Sequence, residues 1–122
     1  MKRTYLRAKI HRATVTGTDV EYEGSITLGG ELLEAAEIQP YEKIQVVNCT
    51  NGERLETYAI RGEESVVRLN GAAGRRAEPD DTVIILSYGV VDSEDYPTPR
   101  IVRVGSKNEV IETETVRAEN ST

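Results

Sequence analysis

Apolar and basic side chains alternate between Thr4 and Val15, near the start of the chain. The apolar side chains share one parity and the basic ones the other: Leu6, Ala8 and Ile10 against Arg7, Lys9 and His11. A period of two predicts a β-strand with one buried face and one basic face. Because the chain has no Trp and no Phe, its core must come from aliphatic residues and Tyr. Abundant β-branched residues favour a sheet over a helical bundle.

Further short strands are predicted along the chain, separated by turns. They cover residues 20–28 (interrupted at Gly24), 43–48, 54–60, 65–69, 82–88 and 100–104, with a turn over 17–19. The run Val83 to Leu86 is apolar at every position, which predicts a central strand buried on both faces. Glu31 to Ala36 is rich in helix formers and predicts a short helix that ends before Pro40. This pattern predicts a mainly β, small closed barrel with one or two short helices.

Asn51-Gly52 is the strongest hairpin signal, because this pair accepts the positive φ angles of a type I′ turn. It separates the predicted strands 43–48 and 54–60. By contrast, residues 70–74 are small, which allows another part of the backbone to approach closely.

Length and charge limit the classes of function. The 122 residues suit one domain, residues 1–122, and the net charge of −6 argues against a protein that follows nucleic-acid phosphates. The basic residues are concentrated before residue 13, so an anionic small-molecule substrate remains compatible with this charge.

The numbers of cysteines and histidines argue against disulfides, metal sites and a catalytic triad, and the hydropathy argues against a membrane segment. Cys49 is the only cysteine and is expected to be a small buried side chain, without a disulfide or a Cys-based zinc site. His11 is the only histidine, so neither a Ser-His-Asp triad nor a His-rich metal site is supported, and no metal is expected. Without an apolar run of signal-peptide or membrane-spanning length, we expect a cytoplasmic protein with no membrane partner.

Four short blocks combine residue types that could carry chemistry, although each block alone is weak. They are Lys9-x-His11-Arg12, Tyr22-x-Gly24-Ser25, Asn51-Gly52-x-Arg54-x-x-Thr57-Tyr58-Ala59-Ile60 and Asn70-Gly71-Ala72-Ala73. In this order and spacing, the set strongly resembles the pyruvoyl-dependent aspartate decarboxylase family over about residues 3–88. This family makes β-alanine for pantothenate, and hence coenzyme A, biosynthesis.

The resemblance implies a six-stranded double-psi β-barrel that assembles as a homotetramer, with active sites between subunits. It also implies that the chain is a zymogen that cleaves itself between Gly24 and Ser25. The products would be a β-chain of residues 1–24 and an α-chain of residues 25–122, and an accessory maturation protein is an open possibility.

The resemblance also implies roles for individual residues. Ser25 would become the covalent pyruvoyl group that forms a Schiff base with L-aspartate, and Thr57 would stabilise the oxyanion formed during cleavage. Tyr58 would be the proton donor. Substrate binding would involve Lys9, His11, Tyr22, Arg54, Thr57, Asn70, Gly71, Ala72 and Ala73. Arg54 and Lys9 suit an acidic substrate because cations bind carboxylates.

The strand pattern conflicts with one of these roles. Arg54 and Tyr58 share a parity, whereas Thr57 points to the opposite face of a regular strand. A bulge, a strand end or a site shared between subunits would each resolve this conflict.

Two other functions stay open at this point. A non-enzymatic barrel that binds or assembles with a partner predicts that Ser25→Ala leaves the biological activity unchanged. The other is a pyruvoyl decarboxylase of another small acidic amino acid, which a comparison of aspartate and glutamate decarboxylation would distinguish.

Overall fold

The computed structural model describes residues 1–115, which fold mainly as β-structure. The strands are β1 Lys2–Thr14, β2 Gly17–Asp19, β3 Ser25–Gly29, β4 Lys43–Asn48, β5 Arg54–Gly62, β6 Val67–Asn70, β7 Thr82–Asp92, β8 Arg100–Val104 and β9 Val110–Thr115. One α-helix, α1, spans Gly30–Ala36, and short 3-10 helices span Gly71–Arg76 and Ser93–Asp95. The predicted mainly β class and the predicted short helix are confirmed. No helix within residues 1–115 is long and apolar enough to cross a membrane.

The nine strands of this region form one hydrogen-bonded series, in the order β2-β6-β3-β5-β4-β7-β1-β8-β9. Three neighbouring pairs are parallel, namely β1 with β8, β2 with β6 and β3 with β5, and the other pairs are antiparallel. The sheet is therefore mainly antiparallel. Because β2 and β9 stand at the two ends of the series and do not pair with each other, closure into a six-stranded barrel stays a prediction.

One face of three neighbouring strands, β4, β7 and β1, contributes to the core, together with residues of β3, β6, β8 and α1. Alternate residues of these strands are buried: Ile44, Val46, Val83, Ile85, Ala8 and Ile10. This confirms the apolar face of β1 and the central place of β7. Ile84 and Leu86 are only half-buried, so the prediction of burial on both faces is wrong. Their side chains point to the opposite face of β7, which this chain covers incompletely.

Helix α1 forms where the sequence predicts it and ends at a left-handed residue. Glu37 has φ 57°, and its backbone N–H donates to the Glu34 carbonyl at 3.2 Å, while Ile38 N–H donates to the Leu33 carbonyl at 2.9 Å. These bonds satisfy carbonyls at the end of the helix and turn the chain towards β4.

Strands β4 and β5 form the predicted hairpin, but its turn is not of type I′. In this loop only Gly52 has a positive φ, at 80°, and five residues separate the strands. The Asn48 side-chain Oδ1 accepts the N–H groups of Thr50 and Asn51 at 2.9 and 3.3 Å. This side chain therefore shapes a longer loop than the two-residue turn that Asn-Gly favours.

Two further predictions in this part of the chain are wrong. Cys49 is exposed rather than buried, because it follows the last residue of β4 and lies in the loop. Residues 17–19 form strand β2 instead of a turn, because they pair in parallel with β6 from Arg68 to Asn70.

Strand β3 begins at the Gly24–Ser25 bond. It lies between β6 and β5, and Ser25 pairs with Asn70 in the antiparallel register. On its other side, β3 first meets β5 at Ala59, opposite Ile26. Within residues 1–115, the preceding part of β5, residues 54–58, therefore has β4 on one edge and no strand on the other.

Candidate active site

The Gly24–Ser25 bond lies at the boundary between solvent and the sheet. Gly24 is exposed, whereas Ser25, the first residue of β3, is 0% exposed. One side of the bond is therefore open to a ligand, and the other is held by the sheet.

Asn70 holds the Ser25 hydroxyl in place. Its Nδ2 donates to Ser25 Oγ at 2.9 Å, and the hydroxyl in turn donates to the Glu23 carbonyl at 3.2 Å. Both Asn70 and Ser25 are completely buried, so solvent does not compete for these bonds. The Ser25 oxygen is thus fixed beside the peptide bond that it would attack.

Gly71 brings a second backbone segment against the cleavage bond. Its φ is +64°, and a Cβ added there would lie 2.7 Å from the Gly24 nitrogen and 2.8 Å from the Tyr22 carbonyl oxygen. Only glycine allows this conformation and this approach without strain. The close approach predicted for residues 70–74 is therefore confirmed, and its partner is Gly24.

A cleft of about 620 Å³ opens onto Gly24. It is lined by Gly24, Arg54, Leu55, Glu56, Thr57, Tyr58, Ala72, Ala73 and Arg76. Its β5 residues, Arg54 to Tyr58, are consecutive and belong to the part of the strand that precedes the pairing with β3. The pairing of β5 with β4 continues without a bulge from Arg54 to Tyr58. Thr57 therefore lines the cleft without a bulge in β5, and a strand end or a site shared between subunits stays the predicted answer to the conflict.

Arginines supply the positive charge of the cleft. Arg76 Nη1 is occupied by Glu53 Oε2 at 3.0 Å and by the Arg54 carbonyl at 3.3 Å. Within residues 1–115, no carboxylate lies within ion-pair distance of the exposed Arg54 guanidinium. Arg54 is therefore available to bind an anion, whereas Arg76 supports the backbone that carries it.

Tyr58 lies where two clefts meet. It lines the cleft at Gly24 and also a neighbouring cleft with Tyr22, Glu23 and Tyr41. The Tyr41 and Tyr58 ring centroids are 6.1 Å apart, within the range of an aromatic pair. The phenol is thus held near the cleavage bond by a neighbouring ring.

Comparisons with known proteins agree with this arrangement. The family model described as aspartate decarboxylase matches residues 1–111. The chain belongs to the aspartate decarboxylase family. Aspartate 1-decarboxylase of Kosmotoga olearia is 53% identical over 114 residues, which cover 92% of this chain and 99% of that protein. The namesakes from Haloquadratum walsbyi and Bacillus cytotoxicus are 47% and 51% identical, covering 93% and 92% of this chain and 100% and 91% of the relatives.

Not every candidate residue of this aspartate decarboxylase family member lies at the cleft. Tyr22 is exposed and lines neighbouring clefts, whereas Lys9 and His11 lie on the basic face of β1, beside β7 and β8. One chain therefore brings together Gly24, Ser25, Arg54, Thr57, Tyr58 and residues 70–73, with Tyr22 in the neighbouring cleft, but not Lys9 and His11.

His11 occupies an environment that disfavours its charged form. Burial is the main cause of its lowered pKa, followed by the positive charges of Lys9, Arg103 and Arg12. Its Nδ1 atom is buried and has no hydrogen-bond partner among the described residues. The neutral imidazole is therefore the favoured state of His11 in this chain.

Two residues at the candidate active site, Arg76 and Thr27, were not among the candidates predicted from the sequence. Arg76 follows the small residues 71–74 and gave no motif. Thr27 accepts a 2.9 Å hydrogen bond from Asn70 Nδ2. Its one sequence signal is its parity, because residues 25 and 27 of a strand point to the same face.

Proposed function

We propose that this chain is the precursor of an enzyme that decarboxylates L-aspartate to β-alanine, using a pyruvoyl group made from Ser25. The proposal depends most on one observation. The buried Ser25 hydroxyl is hydrogen-bonded to Asn70 directly beside a cleft that exposes Gly24. The reaction is that of the relatives, which are aspartate 1-decarboxylases.

The first step would be an internal acyl shift. Ser25 Oγ attacks the Gly24 carbonyl carbon, the bond from that carbon to the Ser25 nitrogen breaks, and the hydroxyl proton passes to this nitrogen. Thr57 lines the same cleft as Gly24 and would donate a hydrogen bond to the oxyanion, as in other acyl transfers. The product is an ester that still links residues 1–24 to residues 25–122.

The second step would break the chain. Ser25 Cα loses its proton to water, the Cβ–Oγ bond breaks, and Gly24 leaves as a carboxylate that keeps this oxygen. The dehydroalanine that remains takes up water and releases ammonia, which leaves a pyruvoyl group at residue 25. The cleavage into chains 1–24 and 25–122 is part of this proposal.

The residues around Ser25 fit such a group. The pyruvoyl group, when present, supplies an electron-withdrawing carbonyl to the amine of the substrate. Arg54 would bind a substrate carboxylate bidentately, and Tyr58 would deliver a proton to the substrate carbon. Asn70 and the backbone of residues 71–73 would line the pocket, which Gly71 keeps narrow at Gly24.

We infer that the working enzyme is a homotetramer of six-stranded double-psi barrels in the cytoplasm. Lys9, His11 and Tyr22 do not line the cleft of their own chain, and a site between subunits would let them reach the substrate of a neighbour. The product would supply pantothenate synthesis. A maturation partner could accelerate cleavage, since Gly24 is exposed on the chain surface.

The test is a decarboxylation assay on the purified protein. We expect the wild type to convert L-aspartate to β-alanine with release of CO₂, and Ser25→Ala to lack this activity. If the protein turns over glutamate faster than aspartate, glutamate and not aspartate is its substrate. Absence of any decarboxylation, together with a biological activity that Ser25→Ala retains, would instead favour a non-enzymatic barrel.

A further inference from the structure

The Asn70 amide is held in one orientation by three hydrogen bonds. Nδ2 donates to Ser25 Oγ and to Thr27 Oγ1, each at 2.9 Å, while Arg68 Nε donates to Asn70 Oδ1 at 3.3 Å. A flipped amide would place its NH₂ group against the Arg68 N–H, so two donors would face each other. The NH₂ group is therefore directed at the two hydroxyls.

The strand register creates this arrangement. Ser25 and Thr27 lie on the same face of β3, and Asn70 of β6 lies directly opposite Ser25. One amide can consequently reach both hydroxyls from the neighbouring strand. Thr27 is 2% exposed, so its hydroxyl is protected from solvent.

The methyl group of Thr27 is also confined. A Cβ added at Gly62 would collide with Thr27 Cγ2, which means that this glycine provides the space the methyl group occupies. A filled methyl site limits rotation about χ1 of a β-branched residue. The Thr27 hydroxyl is thereby kept pointing at Asn70.

We propose that Thr27 is a positioning residue for self-cleavage, acting through Asn70 on the Ser25 hydroxyl; this inference rests on the proposed function. The Ser25 hydroxyl must give up its proton to attack Gly24, and a fixed N–H donor stabilises the negative charge on Oγ as this proton leaves. Thr27 takes one hydrogen of the Asn70 NH₂ group, which directs the other at Ser25 Oγ. Thr27 does not line the cleft at Gly24, so it acts on cleavage only through the orientation of Asn70.

The test compares Thr27→Val, which keeps the shape and removes the hydroxyl, with Thr27→Ser, which keeps the hydroxyl. Intact-protein mass spectrometry over time gives the rate of cleavage after Gly24. We expect Thr27→Val to cleave about three- to tenfold more slowly, from the loss of one net hydrogen bond. Thr27→Ser should stay within about twofold of the wild type.

Thr16→Val is the matched control. The Thr16 hydroxyl also bonds to β6, through the Val67 carbonyl and N–H at 3.0 Å each, but it does not contact Asn70 or Ser25. It should cleave at close to the wild-type rate.

Several results would overturn the proposal. One is a Thr27→Val variant that cleaves as fast as the wild type; another is a Thr27→Ser variant as slow as Thr27→Val, which would assign the effect to packing. If Thr27→Val does not fold, Thr27→Ala replaces it, and the order wild type, Ser, then Ala in rate is required. A wild type that never cleaves refutes the proposed function itself, whereas cleavage that Thr27→Val leaves unchanged refutes only the role of Thr27.

Discussion

Gly71→Ala tests the close approach between Gly71 and the cleavage bond. The new Cβ would lie 2.7 Å from the Gly24 nitrogen and 2.8 Å from its Cα, where real Cβ contacts do not occur. The positive φ of 64° adds about 1–2 kcal/mol for an L residue, and overpacking adds about 1–3 kcal/mol. We therefore expect the free energy of unfolding to fall by about 2–5 kcal/mol.

Gly52→Ala is the matched control, because Gly52 has φ +80° but no atom within 4 Å of an added Cβ. It should lose only the strain of about 1–2 kcal/mol. Urea unfolding of both variants in a Ser25→Ala background, which keeps the chain intact, gives the difference that belongs to the contact with Gly24.

The same pair of variants tests function when Ser25 is retained. The structure can relax by moving Gly24 away from the methyl group added at position 71, and Ser25 Oγ then loses its alignment with the Gly24 carbonyl. An activation barrier higher by about 1.4 kcal/mol slows cleavage about tenfold. Gly52→Ala should cleave normally. The reasoning is refuted if Gly71→Ala loses no more stability than Gly52→Ala and cleaves at the wild-type rate.

Three further predictions concern residues of the site and of β1. Tyr58→Phe should still cleave after Gly24 but lose about 100-fold or more in kcat, as expected for a missing proton donor; full activity would remove that role. Thr57→Val should fold, by circular dichroism, yet cleave about 100-fold or more slowly, and normal processing would count against the oxyanion assignment. The lowered pKa of His11 means that the unfolded chain binds more protons near its ordinary pKa of 6.5, so stability should fall as the pH drops through this value and below. The urea midpoint of unfolding, measured between pH 8 and 5, reports this loss of stability. His11→Asn should make the midpoint depend less on pH, and an unchanged pH dependence would contradict the role given to His11.

Features that depend on local patterns could be predicted from the sequence. The alternation around Ala8 and Ile10 identified the buried face of β1, and the helix formers from Glu31 to Ala36 identified α1. These signals are local because side-chain direction follows the backbone period.

Features that depend on pairing between distant residues could not be predicted. Strand β2 is only three residues long and exists because it pairs with β6, about 50 residues later. Asn70 bonds to Thr27 across 43 residues, so only the register reveals that Thr27 belongs to the site. The parity argument at Thr57 assumed a site on one face of β5, whereas consecutive residues from Arg54 to Tyr58 line the cleft.

The most direct test of the account is the mass of the purified protein after expression and after prolonged incubation, alone and in a bacterial cell extract. The account predicts two fragments of 24 and 98 residues, split after Gly24. The larger fragment should be lighter, by one ammonia molecule, than a chain beginning with serine, and Ser25→Ala should stay whole. A wild-type chain that remains intact under all these conditions, or a larger fragment that still begins with serine, would contradict the central claim.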